Sequence, residues 1–268
     1  MEKIIYITGA SSKISESLRK DLSKLSHKIN IYGRSKLRTY DNEKFIKYSL
    51  GDGITPFKGD YEHIIYHLAH DHYDRRRNDS NINVKGLNSI LSSFSGVANR
   101  KIIFISTPDS QNKKATTYTL QKKLCESLLD LEKDMVIRPS ILISENAMNN
   151  IFKHLPKFAV PIPVSKSRIA PIDLYKFSKK LLEYGLDKNS NGLILFSGKE
   201  PIFFNEFLKK YHKINTFKIY NSLWFILIFF LRISHIPKLF YLSERILGYI
   251  YIRDIEFLMD NDIKKKYL

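Results

Sequence analysis

The stretch Lys3-Ile4-Ile5-Tyr6-Ile7-Thr8-Gly9-Ala10 decides the fold. Its apolar run is too short for a helix, suits a buried strand, and is stopped by Thr8-Gly9. Ile14, Leu18, Leu22 and Leu25 then recur at helical spacing. A strand that passes through a glycine turn into a helix suggests a dinucleotide site, because a helix N-terminus favours a pyrophosphate.

The same alternation continues outward. The patterns predict strands at 28–32, 45–50, 63–68, 101–105 and 135–138, the last stopped by Pro139. Between them fall predicted helices at 80–94 and 116–131. Strands alternating with helices at this spacing imply parallel βαβ units and an open, doubly wound sheet. Such a sheet holds its ligand at the carboxyl ends of its strands. Thr8-Gly9, Arg34, Asp52, Leu68-Ala69, Ser106-Thr107 and Pro139 all fall at predicted strand ends.

Beyond residue 146 the pattern loosens, and Pro156, Pro161, Pro163 and Pro171 read as loop breakers. Helices at 174–184 and 204–211 and a strand at 192–196 are expected there. The fold class is therefore α/β: a Rossmann-like, doubly wound parallel sheet with a smaller mixed C-terminal substrate lobe. Residues 1–145 form the dinucleotide-binding domain, its sheet completed by later segments around 165–200, and residues 146–268 form the lobe.

Composition bounds the function. The chain has 268 residues, 43% hydrophobic, enough for one large core. A single cysteine, Cys125, excludes an internal disulfide and reads as a small core residue. Met1 to Ala10 shows no signal-peptide pattern, so a cytoplasmic chain is expected. The net charge of +17, from 44 basic and 27 acidic residues, suits nucleic acid, an anionic membrane surface or phosphorylated ligands, or is a compositional bias. No nucleic-acid-binding or zinc-ligand signature is present, so neither a nucleic-acid partner nor a metal is expected.

Leu223 to Leu231 is an unbroken run of nine apolar residues, whereas a bilayer span needs about 20. Two readings stay open: a buried helix of the lobe, or an interfacial helix whose Trp224, Phe225, Phe229 and Phe230 dip into lipid, a peripheral membrane contact.

Tyr118 and Lys122 stand eleven residues or more beyond the predicted strand end Ile105-Ser106-Thr107. The Tyr-x-x-x-Lys spacing alone is weak, because it occurs five times among 16 tyrosines, at 32/36, 40/44, 118/122, 175/179 and 184/188. Only the pair at 118 follows a buried strand ending in hydroxyls and opens a convincing helix.

Taken in order, these motifs resemble the short-chain dehydrogenase/reductase superfamily, and most closely its extended branch of nucleotide-sugar epimerases, dehydratases and reductases. The resemblance covers roughly residues 3–200. Thr8-Gly9-Ala10 is similar to the start of the family's glycine turn, His67-Leu68-Ala69 to its fourth-strand signature, and Asn83-Val84-Lys85-Gly86 to its Asn-Val-x-Gly motif. Ile105-Ser106-Thr107, Tyr118/Lys122 and Arg138-Pro139-Ser140 follow in the family's order.

The resemblance implies an NAD(P)-dependent oxidoreductase or epimerase that acts on a nucleotide sugar in surface-polysaccharide synthesis. Tyr118 is then the general acid/base, with Lys122 favouring its phenolate and holding the nicotinamide ribose, and Thr107 orienting the reacting oxygen. Gly9, Ser12, Lys13, Ile14, Arg34, Asp52, Leu68, Ala69 and Pro139 line the cofactor. Arg34 stands where NAD-preferring enzymes carry an acid, and with Lys13 it suits a 2′-phosphate, so NADP is favoured and NAD is the alternative. Similar proteins often dimerise through the helices after strands four and five, which makes a homodimer an expectation.

The resemblance has two gaps. The family's second and third turn glycines are Ser12 and Ser15 here, and a Cβ at a positive φ would strain the turn. The loop from Thr107 to Tyr118 is also short and lacks the usual Tyr-Gly. A catalytically silent dinucleotide-binding regulator or scaffold is the competing reading. Each residue also has an ordinary role open to it: Thr107 as a strand cap, Asp52 as a turn former, Arg34 as a surface turn residue.

Overall fold

The computed structural model describes residues 2–111, 116–144, 160–165, 167–233, 236–250 and 264–267. The opening strand β1 (Lys3–Thr8) places Ile5 and Ile7 in one core and Ile4 and Tyr6 in another, as the two-residue side-chain period requires of a strand buried on both faces. It passes through Gly9 into helix α1 (Lys13–Leu22), which buries Leu18 and Leu22. Then follow β2 (Lys28–Gly33), β3 (Glu43–Lys47), β4 (Glu62–His67), α2 (Ile82–Ser93), β5 (Arg100–Ile105), α3 (Thr117–Glu126) and β6 (Met135–Pro139).

Later segments complete the same sheet. Helix α4 (Leu174–Leu186) leads into β11 (Gly192–Ser197), which pairs with β6, and β14 (Lys264–Tyr267) pairs with β11. The strand order is β14-β11-β6-β5-β4-β1-β2-β3, and every pairing in it is parallel. The direction of winding reverses between β1 and β4, which is where such a sheet opens its ligand crevice. Helices α1 and α4 cover one face around Leu18, Leu22, Phe177 and Leu181. The other face is covered by α2 and α3, around Val84, Leu87, Ile90 and Cys125.

The rest forms small two-stranded pieces: β7 (Leu142–Ile143) with β10 (Ile172–Asp173), β9 (Arg168–Ile169) with β12 (Ile202–Phe203), and β8 (Val160–Pro163) with β13 (Thr216–Ile219). Helix α5 (Phe204–His212) packs Phe207 and Leu208 on Ile162, Ile169 and Ile214, a separate small core. Helices α6 (Asn221–Ile233) and α7 (Pro237–Ile250) pack on each other.

The expected elements are present, with shifts of one to three residues at several ends and three differences that have a physical cause. Strand β3 starts at Glu43, two residues early, because Glu43 is drawn in by Arg19: the guanidinium meets the buried carboxylate at 2.7 Å. Helix α3 ends at Glu126 rather than near Leu131, and Ser127 to Leu129 turn beneath it. Pro161 and Pro163 lie within β8 rather than in a loop, tolerated because that strand belongs to a short two-stranded edge. Pro156 lies outside the described residues.

Candidate active site

Gly9 is the pivot of the site. Its φ is +69°, and a Cβ there would fall 2.7 Å from both the Leu68 carbonyl carbon and the Ala69 nitrogen. Only glycine lets the turn after β1 touch the end of β4. Thr8 reinforces that seam: its Oγ1 lies 2.8 Å from His67 Nδ1 and accepts from Ala69 N at 3.4 Å. Gly9, Leu68 and Ala69 thus meet at the crevice, as expected.

Ser12 caps α1. Its backbone is extended (φ −72°, ψ 151°), and its Oγ accepts from Ser15 N at 3.1 Å. The expected strain does not arise: among the described residues Lys213 alone, apart from glycines, has a positive φ, and Ser15 is a buried helical residue. The cost lies elsewhere. The serine hydroxyl occupies one of the N–H groups that a helix start offers to an anion, while the first-turn N–H groups of Lys13 and Ile14 have no intrahelical acceptor. Ile14 leans on the core, and the exposed Lys13 ammonium pairs with Glu16 at 2.7 Å. The glycine cradle and this helix end together fit a dinucleotide pyrophosphate.

The other rim residues divide. Arg34 is exposed directly after β2. Asp52 closes its own turn, accepting from Ser49 N at 2.7 Å, so its carboxylate has a local structural task. Pro139 ends β6, buried and paired with Phe196 of β11. Thr107 follows β5, and its carbonyl accepts from Ser110 N at 3.2 Å, opening the short 3-10 turn Pro108–Gln111. Next to it Ser106 is buried, with no partner for its Oγ.

Thr116 caps α3 with its hydroxyl, accepting from Thr119 N at 3.2 Å, and Tyr118 and Lys122 ride one turn apart on the helix. Lys122 is buried, and its Nζ donates to Ile105 O at 2.7 Å, at the carboxyl end of β5. That ammonium lies 4.5 Å from the centre of the Phe104 ring and 5.8 Å from that of Tyr118. Burial lowers the Lys122 pKa to about 8. Burial also raises the Tyr118 phenol to about 12, against a smaller downward pull from the Arg245 guanidinium. In the protein alone burial is the larger influence on the phenol, while the Lys122 ammonium is committed to the Ile105 carbonyl. Without ligand Tyr118 is a proton donor.

Several residues around Tyr118 escaped the sequence reading. His70 meets its ring edge-on at 5.0 Å, and His72 stacks on it at 5.5 Å with 30° between planes. His70 Nε2 is buried without a hydrogen-bond partner. Desolvation, helped by Lys122 and neighbouring groups, lowers the pKa of His70 and of His72, so both rings are neutral near pH 7. Tyr241 from α7 packs 5.7 Å from His72, and Arg245 Nε donates to the Tyr241 Oη at 2.8 Å. His70-x-His72 directly after Leu68-Ala69 was the one available signal; Tyr241 and Arg245 carry no motif.

The family-like motifs explain how this loop is held. Asn83 Oδ1 accepts from Asp71 N at 2.6 Å, and its Nδ2 donates to Asp71 O at 3.0 Å. Gln121, on α3, donates from Nε2 to Asp74 O and Arg76 O at 2.8 and 2.9 Å. Gly86 leaves room for Leu50, which a Cβ would meet at 2.8 Å. Arg138 Nε donates to Glu126 Oε1 at 2.9 Å inside the protein, tying the end of α3 to β6. Cys125 is buried with its thiol raised to about 11, a core residue as expected. Among the described residues no group of three or more His, Cys, Asp or Glu could hold a metal ion.

Known structures share this architecture. The dTDP-glucose 4,6-dehydratase from Bacillus anthracis with NAD superposes with a TM-score of 0.63 at 11% identity, over 81% of this chain and 84% of that one. The UDP-N-acetylglucosamine 4-epimerase from Bacillus cereus gives 0.60 at 14%, over 82% and 86%. A short-chain dehydrogenase/reductase superfamily protein from Agrobacterium tumefaciens with bound NAD gives 0.60 at 14%, over 81% and 85%. The chain shares the doubly wound fold of these structures. Neither a protein-family model nor a curated protein matches it. At these identities the likeness bears on the fold, and the chemistry rests on the site.

Proposed function

We propose that this protein with the short-chain dehydrogenase/reductase fold is an NAD(P)-dependent enzyme that epimerises or reduces a nucleotide sugar. The observation that carries the reading is half-buried Tyr118 and buried Lys122 one turn apart on α3, with the Lys122 ammonium on Ile105 O at the end of β5, next to the end of β4 where Leu68 and Ala69 meet Gly9. Support comes from the fold shared with a dTDP-sugar dehydratase and a UDP-sugar epimerase.

In this reading the crevice between β1 and β4 takes the dinucleotide, with the pyrophosphate on the Lys13 and Ile14 N–H groups and Pro139, Leu68 and Ala69 as walls. Asp52 borders the adenine end. The bound nicotinamide supplies hydride exchange. Tyr118, protonated, donates to a sugar carbonyl as it becomes an alcohol, and the reverse transfer needs the phenol's pKa lowered by the ligands. Thr107 orients the reacting oxygen, and Lys122 releases Ile105 O to hold a ribose hydroxyl. Neutral His70 and His72 offer hydrogen bonds without competing for the proton. Arg34 with Lys13 favours the 2′-phosphate of NADP. A role in surface-polysaccharide synthesis, and a homodimer through α2 and α3, belong to the same proposal.

A second reading, a dinucleotide-binding protein without turnover, is favoured by one observation: the Ser12 hydroxyl occupies Ser15 N–H. Identification of the nucleotide released from purified protein, followed by hydride exchange over UDP- and dTDP-sugars, separates the two. Tightly held oxidised cofactor supports an epimerase, and an exchangeable NADPH site with sugar-dependent oxidation supports a reductase. Tight binding with no exchange on any sugar leaves the second reading.

A further inference from the structure

Between Glu206 and Glu244 the chain carries Lys209, Lys210, Lys213, Lys218, Arg232 and Lys238 and no Asp or Glu. Within this acid-free stretch lies α6, whose sequence from Leu223 to Leu231 is wholly apolar. The buried-helix expectation fails there: Ile228 is 4% exposed, whereas Leu223, Ile226, Phe229, Phe230 and Ile233 are each more than half exposed. At roughly 100° per residue these five fall on one arc, opposite Ile228. Ile236 and Lys238, both exposed, continue the patch into α7, and exposed Phe217, Lys218 and Tyr220 flank it at the other end. An apolar face this large and continuous marks an interaction surface. At 13 residues α6 is about 20 Å long, too short to cross a bilayer, and no helix among the described residues is long and apolar enough to do so.

We infer that this face docks on an anionic bilayer surface, its aromatic and aliphatic side chains seated among the acyl chains and Lys213, Lys218 and Lys238 lying against phosphate headgroups. Charge selects this occupant: a rim of cations with no acid across the whole stretch complements a lipid phosphate surface. Helix α7 connects the docked face to the Tyr118 site. Its buried Glu244 pairs with Arg232 of α6 and accepts from Thr117 N of α3 at 2.5 Å, and its Tyr241 and Arg245 border His72 and Tyr118. The docking therefore places the rim of the candidate site close to the lipid surface.

The test needs no knowledge of the reaction, so its failure is distinct from failure of the enzymatic reading. The full chain is floated with phosphatidylglycerol vesicles and with pure phosphatidylcholine vesicles, at low and high salt. Trp224, the one tryptophan of the chain, lies beside Ile228 rather than on the exposed arc, so a Trp224→Phe/Phe229→Trp variant reports from the arc through quenching by brominated lipid. The inference expects flotation with the anionic vesicles at low salt, quenching of the tryptophan placed at 229, and weakening by salt. Phe229→Glu with Phe230→Glu, both at exposed positions, should leave the melting temperature unchanged and cut vesicle partition on the order of tenfold or more. Neutralising Lys213, Lys218 and Lys238 to Gln should weaken binding to anionic vesicles alone. Wild-type protein left unfloated overturns the inference. So does flotation without quenching of the tryptophan at 229, or a solution dimer that the Phe229→Glu/Phe230→Glu variant splits while no vesicle binding is seen.

Discussion

Gly9 illustrates what one residue decides. The contact at 2.7 Å is with backbone, which cannot rotate away, and φ is positive. Gly9→Ala should therefore cost about 1–3 kcal/mol in urea unfolding and open the crevice enough to weaken dinucleotide binding; an unchanged midpoint would refute the tight seam. Lys122 makes a second residue-scale test. Its folded pKa, about 8, lies below the ordinary lysine value of 10.5. The buried charge penalises folding below pH 8, and the penalty fades as pH rises toward 10.5, where the unfolded chain still binds the proton. Stability of the wild type relative to Lys122→Met should thus improve by ~2–3 kcal/mol between pH 7 and 10. A flat difference would mean that Lys122 is solvated. The place of Tyr118 one turn before Lys122 on α3 was legible in the sequence from the motif order. Its surroundings were not, because Tyr241 and Arg245 of α7 lie more than a hundred positions away.

At the scale of elements, strands were read closely because Ile, Val and Tyr runs bounded by turns leave little ambiguity, as in β1, β5 and β6. Boundaries failed for two reasons: a distant partner, Arg19, sets the start of β3, and local turns at Ser127 to Leu129 stop α3. Helix α6 was left with two readings, and its exposure goes against the buried one. Hydropathy alone predicts burial for nine apolar residues, yet exposure depends on what packs nearby. Glu244 is the joint of this region, joining α6 and α7 to the N-terminus of α3. Glu244→Gln should lower stability by about 1–3 kcal/mol, since it leaves a charged partner and weakens an N-terminal cap. Hydrogen exchange should quicken in α6, α7 and the first turn of α3 while the central sheet stays protected; exchange that rises uniformly would show that these helices do not hang on Glu244.

Across the whole molecule, the parallel sheet gathers the ends of β1, β2, β4, β5 and β6 onto one rim, which is why motifs scattered from Gly9 to Pro139 could be assigned to a common site from sequence. The wall supplied by α7 could not, since Tyr241 and Arg245 follow no pattern that spacing reveals. The proposed cofactor choice is tested on the same rim. With Arg34 exposed after β2, NADPH should bind more tightly than NADH, and Arg34→Glu should reverse the order, by about tenfold or more given the worth of a charge-assisted phosphate contact. Equal affinities in the wild type would assign Arg34 to the surface. The most direct measurement for the central claim is a stopped-flow record of nicotinamide absorbance as cofactor-loaded protein meets UDP- and dTDP-sugars, for wild type and for Tyr118→Phe. The expected result is a sugar-dependent transient that slows by about a hundredfold or more in the variant while cofactor affinity is unchanged; a transient of equal rate in both proteins would contradict proton transfer by Tyr118.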